Sequence, residues 1–96
     1  MSVKVTLNCK VKHQQFELLL PFLDRNLPNV RGFKGCMGVN VLFDQSNHEM
    51  LLDEKWLSVE DHQQYLEFIN NNGVLEQLSE FLDEAPAIKY FAEVDV

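Results

Sequence analysis

The chain has 96 residues, of which 46% are hydrophobic and 24% are charged, and fifteen acidic residues against eight Lys and Arg give a net charge of -7. This length and composition predict a single folded domain over residues 1–96, and domains this small often bury more surface by oligomerising. The acidic balance disfavours nucleic acid and anionic membranes as partners. The sequence has neither a membrane-spanning apolar run nor the apolar core of a signal peptide, so a cytoplasmic location is expected.

The two cysteines, Cys9 and Cys36, are far apart in the sequence and have no CxxC spacing or nearby pair of histidines. This pattern fits neither a zinc site nor a redox motif. We expect both to be buried, reduced thiols. A reactive thiol at Cys36 is the alternative, because the pKa of a thiol depends on neighbours in space that a sequence does not show.

The first element is predicted to be a strand, because apolar and polar residues alternate from Val3 to Val11. After His13 the apolar spacing changes to that of one helix face. This face comprises Phe16, Leu19, Leu20, Leu23 and Leu27. Pro21 lies within the helix and cannot donate a backbone hydrogen bond, so we expect a kink or a late start, with Pro28 near the end.

A hairpin is predicted next. Its strands run from Cys36 to Phe43 and from Met50 to Leu57, and the Asp, Ser and Asn residues between them favour a turn. The first strand of the hairpin is apolar on both faces.

Two helices and a strand complete the chain. Ser58 is predicted to cap the first of these helices, with Asp61 in its first turn. The apolar stripe of that helix consists of His62, Tyr65, Leu66 and Ile69. After a break at residues 70–73, a third helix carries the stripe Val74, Leu75, Leu78, Phe81 and Leu82. Pro86 ends it, and alternation then predicts a strand from Ile88 to Val96.

This order of elements predicts an α+β domain with a ferredoxin-like split βαβ sheet and helices on one face. Because the strand from Cys36 to Phe43 is apolar on both faces, the face away from the helices also needs a cover. A second copy of the sheet is the simplest cover, since a homodimer is the commonest closed assembly.

Three short motifs follow one another at recognisable spacings: Arg31-x-Phe33-x-Gly35-Cys36, Glu54-x-Trp56-x-Ser58, and Tyr65. With them the chain resembles the antibiotic biosynthesis monooxygenase family of dimeric α/β-barrel proteins, from about Val5 to Phe91. The resemblance implies an oxygenase that acts on phenols or quinols without metal or flavin, a haem-degrading enzyme, or a protein without an assigned reaction. It also implies an Arg where this chain has Ile69, so a cation that holds an anionic substrate is missing.

The sequence contains no GxGxxG motif, no P-loop and no clustered metal ligands, so no metal, flavin or haem cofactor is expected. The electrons for any oxidation then come from the substrate. We interpret the chain as a cofactor-independent monooxygenase for a small electron-rich aromatic molecule, a quinol or a phenol. The alternative is a dimeric module of the same fold that binds a small molecule or a partner without catalysis.

Four residues are candidates for a substrate pocket between sheet and helices: Asn8, Trp56, His62 and Tyr65. His62 is the candidate catalytic base, because an imidazole titrates near neutrality, and a half-exposed helix histidine is the alternative. Trp56 either lines the pocket and donates through its ring nitrogen or packs in the core. Asn8 binds either a ligand or a neighbouring group, and Tyr65 either donates from its hydroxyl or packs its ring.

Overall fold

The computed structural model describes residues 2–96 as one antiparallel sheet with helices on one side. The elements are β1 (Val3–Lys10), α1 (Phe16–Arg31), β2 (Cys36–Asp44), β3 (Glu49–Trp56), α2 (Val59–Asn71), α3 (Val74–Ser79) and β4 (Ala87–Ala92). The strand order is β2-β3-β1-β4, so the sheet is open, with β2 and β4 at its edges. This is the predicted α+β ferredoxin-like arrangement, which is therefore confirmed.

The two central strands, β1 and β3, decide what lies between sheet and helices. On β1 the buried residues include Val5 and Leu7, and their register partners on β3 are Glu54 and Leu52. Residues opposite each other in a ladder share a face of the sheet. The alternation that places apolar side chains against the helices therefore also places one carboxylate, that of Glu54, inside the core.

Helix α1 is rotated relative to the predicted apolar stripe. Leu20, predicted on the buried face, is 45% exposed, whereas Phe22 is 5% exposed and its ring packs against Phe81. The buried face is centred near Leu19 and Leu23, and successive helix residues differ by roughly 100° in direction, so Leu20 turns away from it. The helix runs continuously over both prolines.

The predicted cap of α2 is confirmed, since the backbone N–H of Asp61 donates to Oγ of Ser58 at 3.1 Å. The predicted ends of the last two elements are wrong. Helix α3 ends at Ser79 instead of continuing to Leu82, which forms an isolated bridge with Val11. Strand β4 ends at Ala92 because its partner there is Val3, the first residue of β1, so residues 93–96 extend beyond the neighbouring strand.

Both cysteines are free, Cys9 buried and Cys36 half-buried. Burial, assisted by the nearby carboxylates Glu54 and Glu49, raises the pKa of Cys9 to about 12. Burial also raises the pKa of Cys36 above that of an ordinary thiol. Both shifts disfavour the reactive thiolate. Within residues 2–96, none of the helices combines the length and the apolar character needed to cross a bilayer.

Candidate active site

A small cavity of about 50 Å³ lies between the sheet and the three helices. Its walls are mainly apolar, with Leu23 from α1, Ile69 from α2 and Leu78 from α3 among the lining side chains. Three ionisable side chains also line it, Glu54 from β3 and His62 and Tyr65 from α2. A carboxylate and an imidazole in an apolar cavity form the most chemically distinctive feature of the molecule.

Glu54 is 3% exposed, and its Oε1 accepts a hydrogen bond of 2.8 Å from Nε1 of Trp56. The two side chains lie two residues apart on β3 and so share a face of the sheet. Burial raises the pKa of Glu54 to about 6, the hydrogen bond from Trp56 opposes this shift, and the charge of Asp53 adds to it. At neutral pH the carboxyl group is therefore mainly ionised, yet poised to take up a proton.

His62 is fully buried at the first turn of α2. Its Nδ1 lies 2.8 Å from the hydroxyl oxygen of Tyr90, and its Nε2 lies 3.8 Å from Oε1 of Glu54. The second distance is too long for a hydrogen bond, and Nε2 has no hydrogen-bond partner among residues 2–96. Burial lowers the pKa of His62 to about 4, so the imidazole is neutral at pH 7.

A neutral imidazole has one N–H donor and one acceptor nitrogen. The negative carboxylate of Glu54 beside Nε2 favours the proton on that nitrogen. Nδ1 is then the acceptor, and the hydroxyl of Tyr90 donates to it. We assign this tautomer from the hydrogen-bond network.

Aromatic rings hold the ionisable pair in place. The Trp56 ring packs edge-on against His62 at a centroid distance of 5.3 Å and lies 5.5 Å from the ring of Tyr65. Phe33 contacts Tyr65 edge-on at 5.2 Å. Burial is the main cause that raises the pKa of Tyr65, which therefore remains protonated and can act as a donor.

Three of the four candidate pocket residues come together. His62 and Tyr65 line the cavity, and Trp56 lies directly behind them, where it both packs in the core and donates through its ring nitrogen. Asn8 does not join them, because it lies on the opposite face of the sheet, where its Nδ2 donates to Oε2 of Glu49 at 3.3 Å. The alternative of a half-exposed helix histidine is wrong, since His62 is fully buried.

Two residues of the site, Glu54 and Tyr90, were missing from the sequence-based candidates. Glu54 did carry a signal, because the strand Met50, Leu52, Glu54, Trp56 places a carboxylate in an otherwise apolar alternation. Tyr90 carried none, since its contact with His62 depends on the pairing of β4 with β1. Among residues 2–96, no group of three or more His, Cys, Asp or Glu is placed to hold a metal ion.

The backbone at Gly35 lies close to the side chain of Asp61 at the start of α2. Gly35 has a φ of +92°, and a Cβ atom built there would lie 2.5 Å from Cβ of Asp61. The carbonyl of Gly35 also accepts a 2.8 Å hydrogen bond from the backbone N–H of Leu57. Asp61 precedes His62, so this contact sets the position of the imidazole along the sheet.

No family model and no curated protein matches the sequence. Solved structures do match closely. A Mycobacterium tuberculosis protein is 19% identical, with a TM-score of 0.82 over 100% of this chain and 98% of that one. A conserved protein of Methanosarcina mazei is 16% identical, with a TM-score of 0.85 over 98% and 94%.

A structure named antibiotic biosynthesis monooxygenase is 13% identical to this chain. Its TM-score is 0.83, over 97% of this chain and 99% of that one. Likeness at such low identity concerns the fold, because one fold hosts many functions. The chain thus has the fold of a protein named as an antibiotic biosynthesis monooxygenase, and the resemblance carried by its three motifs is confirmed at the level of the fold.

Proposed function

We propose that this protein is a cofactor-independent monooxygenase that acts on a small electron-rich aromatic molecule, a phenol or a hydroquinone. The observation that carries the proposal is the Nε2 of His62, which has no hydrogen-bond partner in the part of the chain that the structure describes and is buried beside the Glu54 carboxylate in an apolar cavity. Buried polar atoms without partners are rare in folded proteins. A substrate hydroxyl would supply the missing partner and place an acidic proton next to Glu54.

Each ionisable group has a separate role in this reaction. The Glu54 carboxylate takes the phenolic proton, and N–H at Nε2 of His62 holds the developing anion. The phenolate passes one electron to dioxygen, the two radicals combine at a ring carbon, and loss of water leaves a quinone. One phenol and one dioxygen thus give one quinone and one water, and the substrate supplies all the electrons.

The size of the cavity requires part of the wall to move before an aromatic ring can enter. Its volume of about 50 Å³ is smaller than the roughly 150 Å³ of a cavity known to hold benzene. Helix α3 is the shortest helix, begins after the left-handed Gly73, and contributes Val74, Leu75 and Leu78 to the lining. Displacement of α3 is therefore the proposed route of entry.

Oxygen consumption with a panel of phenols and hydroquinones tests the proposal. We expect Glu54→Gln to lower the rate by about 100-fold or more, the usual contribution of a general base. Asp53→Asn is the matched control, because Asp53 is the neighbouring carboxylate on the same strand but lies on the other face of the sheet. Equal rates in these two variants would contradict the role of Glu54.

A non-catalytic binding module is the second proposal, and the lining residue Ile69 favours it. The resemblance implies an Arg at this position, yet the wall here is apolar and offers no cation to an anionic substrate. The sole tryptophan, Trp56, reports on binding, since it packs against both His62 and Tyr65. Saturable quenching of its fluorescence without oxygen consumption would favour this second function. Neither response from any compound of the panel would contradict both.

We also propose that two copies pair through the open faces of their sheets. Apolar side chains on this face include Leu42, Leu51 and Phe91, of which Leu42 and Phe91 are about half exposed. The central part of the face is polar and already paired internally, as in the 3.1 Å ion pair between Lys4 and Asp53. Sedimentation tests this proposal: a dimer is expected at micromolar concentration, and a species of 11.2 kDa alone would contradict it.

A further inference from the structure

We propose that Tyr90 carries protons between solvent and the buried Glu54 and His62 pair, with the two ring nitrogens of His62 as the connection. The inference rests on the proposed oxygenase function, because it explains how a buried carboxylate exchanges protons during turnover. It assigns a role to a residue outside the cavity lining.

The geometry forms an array from the core to the edge of the sheet, with one gap of 3.8 Å between Oε1 of Glu54 and Nε2 of His62 that must close for a proton to cross. Nε1 of Trp56 donates to Glu54, Oε1 of Glu54 lies 3.8 Å from Nε2 of His62, and Nδ1 of His62 lies 2.8 Å from the Tyr90 hydroxyl. The first three members are buried, whereas Tyr90 lies on the edge strand β4 and is 37% exposed. Of these four side chains, Tyr90 is the one that reaches the surface.

His62 and Tyr90 are suited to transfer a proton and unsuited to store a charge. Burial disfavours the imidazolium form of His62, and it also disfavours the phenolate form of Tyr90. Neither residue is therefore a stable resting place for a charge. A proton can still pass if each group gives one up as it receives another, so that His62 changes tautomer and stays neutral.

The transfers balance over one turnover. Glu54 takes the phenolic proton, and the outer oxygen atom of the peroxide formed on the substrate, which later leaves as water, takes the proton from Nε2 of His62. Tyr90 passes its hydroxyl proton to Nδ1 and regains one from water. Glu54 then returns its proton to Nε2, Nδ1 passes its proton to Tyr90, and Tyr90 releases its own to water. Every group ends as it began, and one proton has moved from the substrate hydroxyl to the oxygen atom that leaves as water.

Tyr90→Phe is the variant that tests the relay, because it keeps the ring and removes the hydroxyl. The first measurement needs no substrate: the rate at which the ring N–H proton of His62 exchanges with water, followed by NMR in protein labelled with ¹⁵N-histidine. The His62 signal is identified by its loss in His62→Gln. We expect Tyr90→Phe to slow this exchange by about 10-fold or more. An unchanged exchange rate would overturn the relay.

Phe91→Leu is the matched control. Phe91 is the next residue on β4 and is about half exposed on the opposite face of the sheet, so the change alters the same strand away from the array. We expect this variant to exchange at the wild-type rate. Equal slowing in both variants would indicate general loosening of β4 and would also overturn the relay.

Turnover gives the second measurement. With an accepted phenol, Tyr90→Phe should lower kcat and leave KM nearly unchanged, since the hydroxyl is outside the cavity lining. Added imidazole buffer should restore part of the rate by carrying protons in its place. An unchanged kcat would contradict the relay. If no phenol is oxidised by the wild type, the oxygenase proposal fails, while the exchange measurement still decides whether Tyr90 connects His62 to solvent.

Discussion

Two adjacent carboxylates on β3 show how much the two faces of one sheet differ. Asp53 lies on the open face, partly exposed, and forms a 3.1 Å ion pair with Lys4. Glu54 lies buried on the helix face, where its hydrogen-bond donor is the ring nitrogen of Trp56. One peptide unit therefore separates a solvated surface ion pair from a buried carboxyl group with a pKa raised to about 6.

The face of the sheet, more than the residue type, sets the chemistry of a carboxylate. On the open face, water and Lys4 stabilise the charge at little cost to folding. On the helix face the charge is desolvated, which costs stability and makes the group a better base near neutral pH. Three experiments test this contrast.

The largest effect is expected from Trp56→Phe, which should lower the free energy of unfolding by about 3 kcal/mol through lost packing and a lost donor to a buried carboxylate. Urea denaturation at neutral pH measures it. In the single chain, below the concentration at which copies pair, Phe91→Leu on the open face should cost less than about 1 kcal/mol, because the ring it removes is already half exposed. Similar losses in both variants would erase the contrast between the faces.

Glu54→Gln should stabilise the protein at pH 7 by about 2 kcal/mol, the value of raising a carboxyl pKa from 4.5 to about 6. Because the raised pKa makes the folded state bind the proton more tightly, the stability that Glu54 contributes is present below pH 4.5. It is lost as the pH rises through about 6. The amide oxygen of Gln can still accept from Trp56.

His62 acts in the opposite sense. Its pKa falls from 6.5 to about 4 on folding, so its contribution is present above pH 6.5 and is lost as the pH falls through about 4. Denaturation between pH 4 and 7 should therefore show a steeper rise of stability with pH in Glu54→Gln than in the wild type. A profile identical to that of the wild type would show that Glu54 titrates normally.

The smallest effect is expected on the open face. Asp53→Asn should lower the free energy of unfolding by about 0.5 kcal/mol or less, since exposed ion pairs contribute little and are screened by salt. Denaturation at low and high salt provides the check, and high salt should reduce the difference further. These values apply to the single chain, below the concentration at which copies pair, and a loss above about 2 kcal/mol there would contradict the contrast between the faces. Pairing of the sheets would bury this face and enlarge the loss.

Local patterns were sufficient for the predicted fold. Alternation on β1 identified the face that meets the helices, and Ser58 with Asp61 marked the start of α2. The ends of elements and the rotation of α1 were not predicted, because they depend on neighbours in space: β4 ends where its antiparallel partner β1 begins, and α1 buries Phe22 in place of Leu20.

The candidate site was predictable in part. Trp56, His62 and Tyr65 lie together because strand and helix periodicity direct all three toward the same layer. Asn8 was misplaced because a buried central strand has two faces, and the polar face of β1 is the one away from the helices. The hydrogen bond between Tyr90 and His62 joins the edge strand β4 to helix α2, and local residue spacing does not predict such a contact.

The close approach of Gly35 to Asp61 has a consequence for how this fold tolerates substitution. Gly35 influences the distance between His62 and Glu54 although it has no side chain. A Cβ atom at Gly35 would push the first turn of α2, and His62 with it, relative to Glu54. The spacing of 3.8 Å between imidazole and carboxylate thus depends partly on the absence of a side chain at Gly35, where the side chain of Asp61 takes the space that a Cβ atom would need. Sequences with a side chain at this position can keep Glu54, Trp56 and His62 and still lose their alignment.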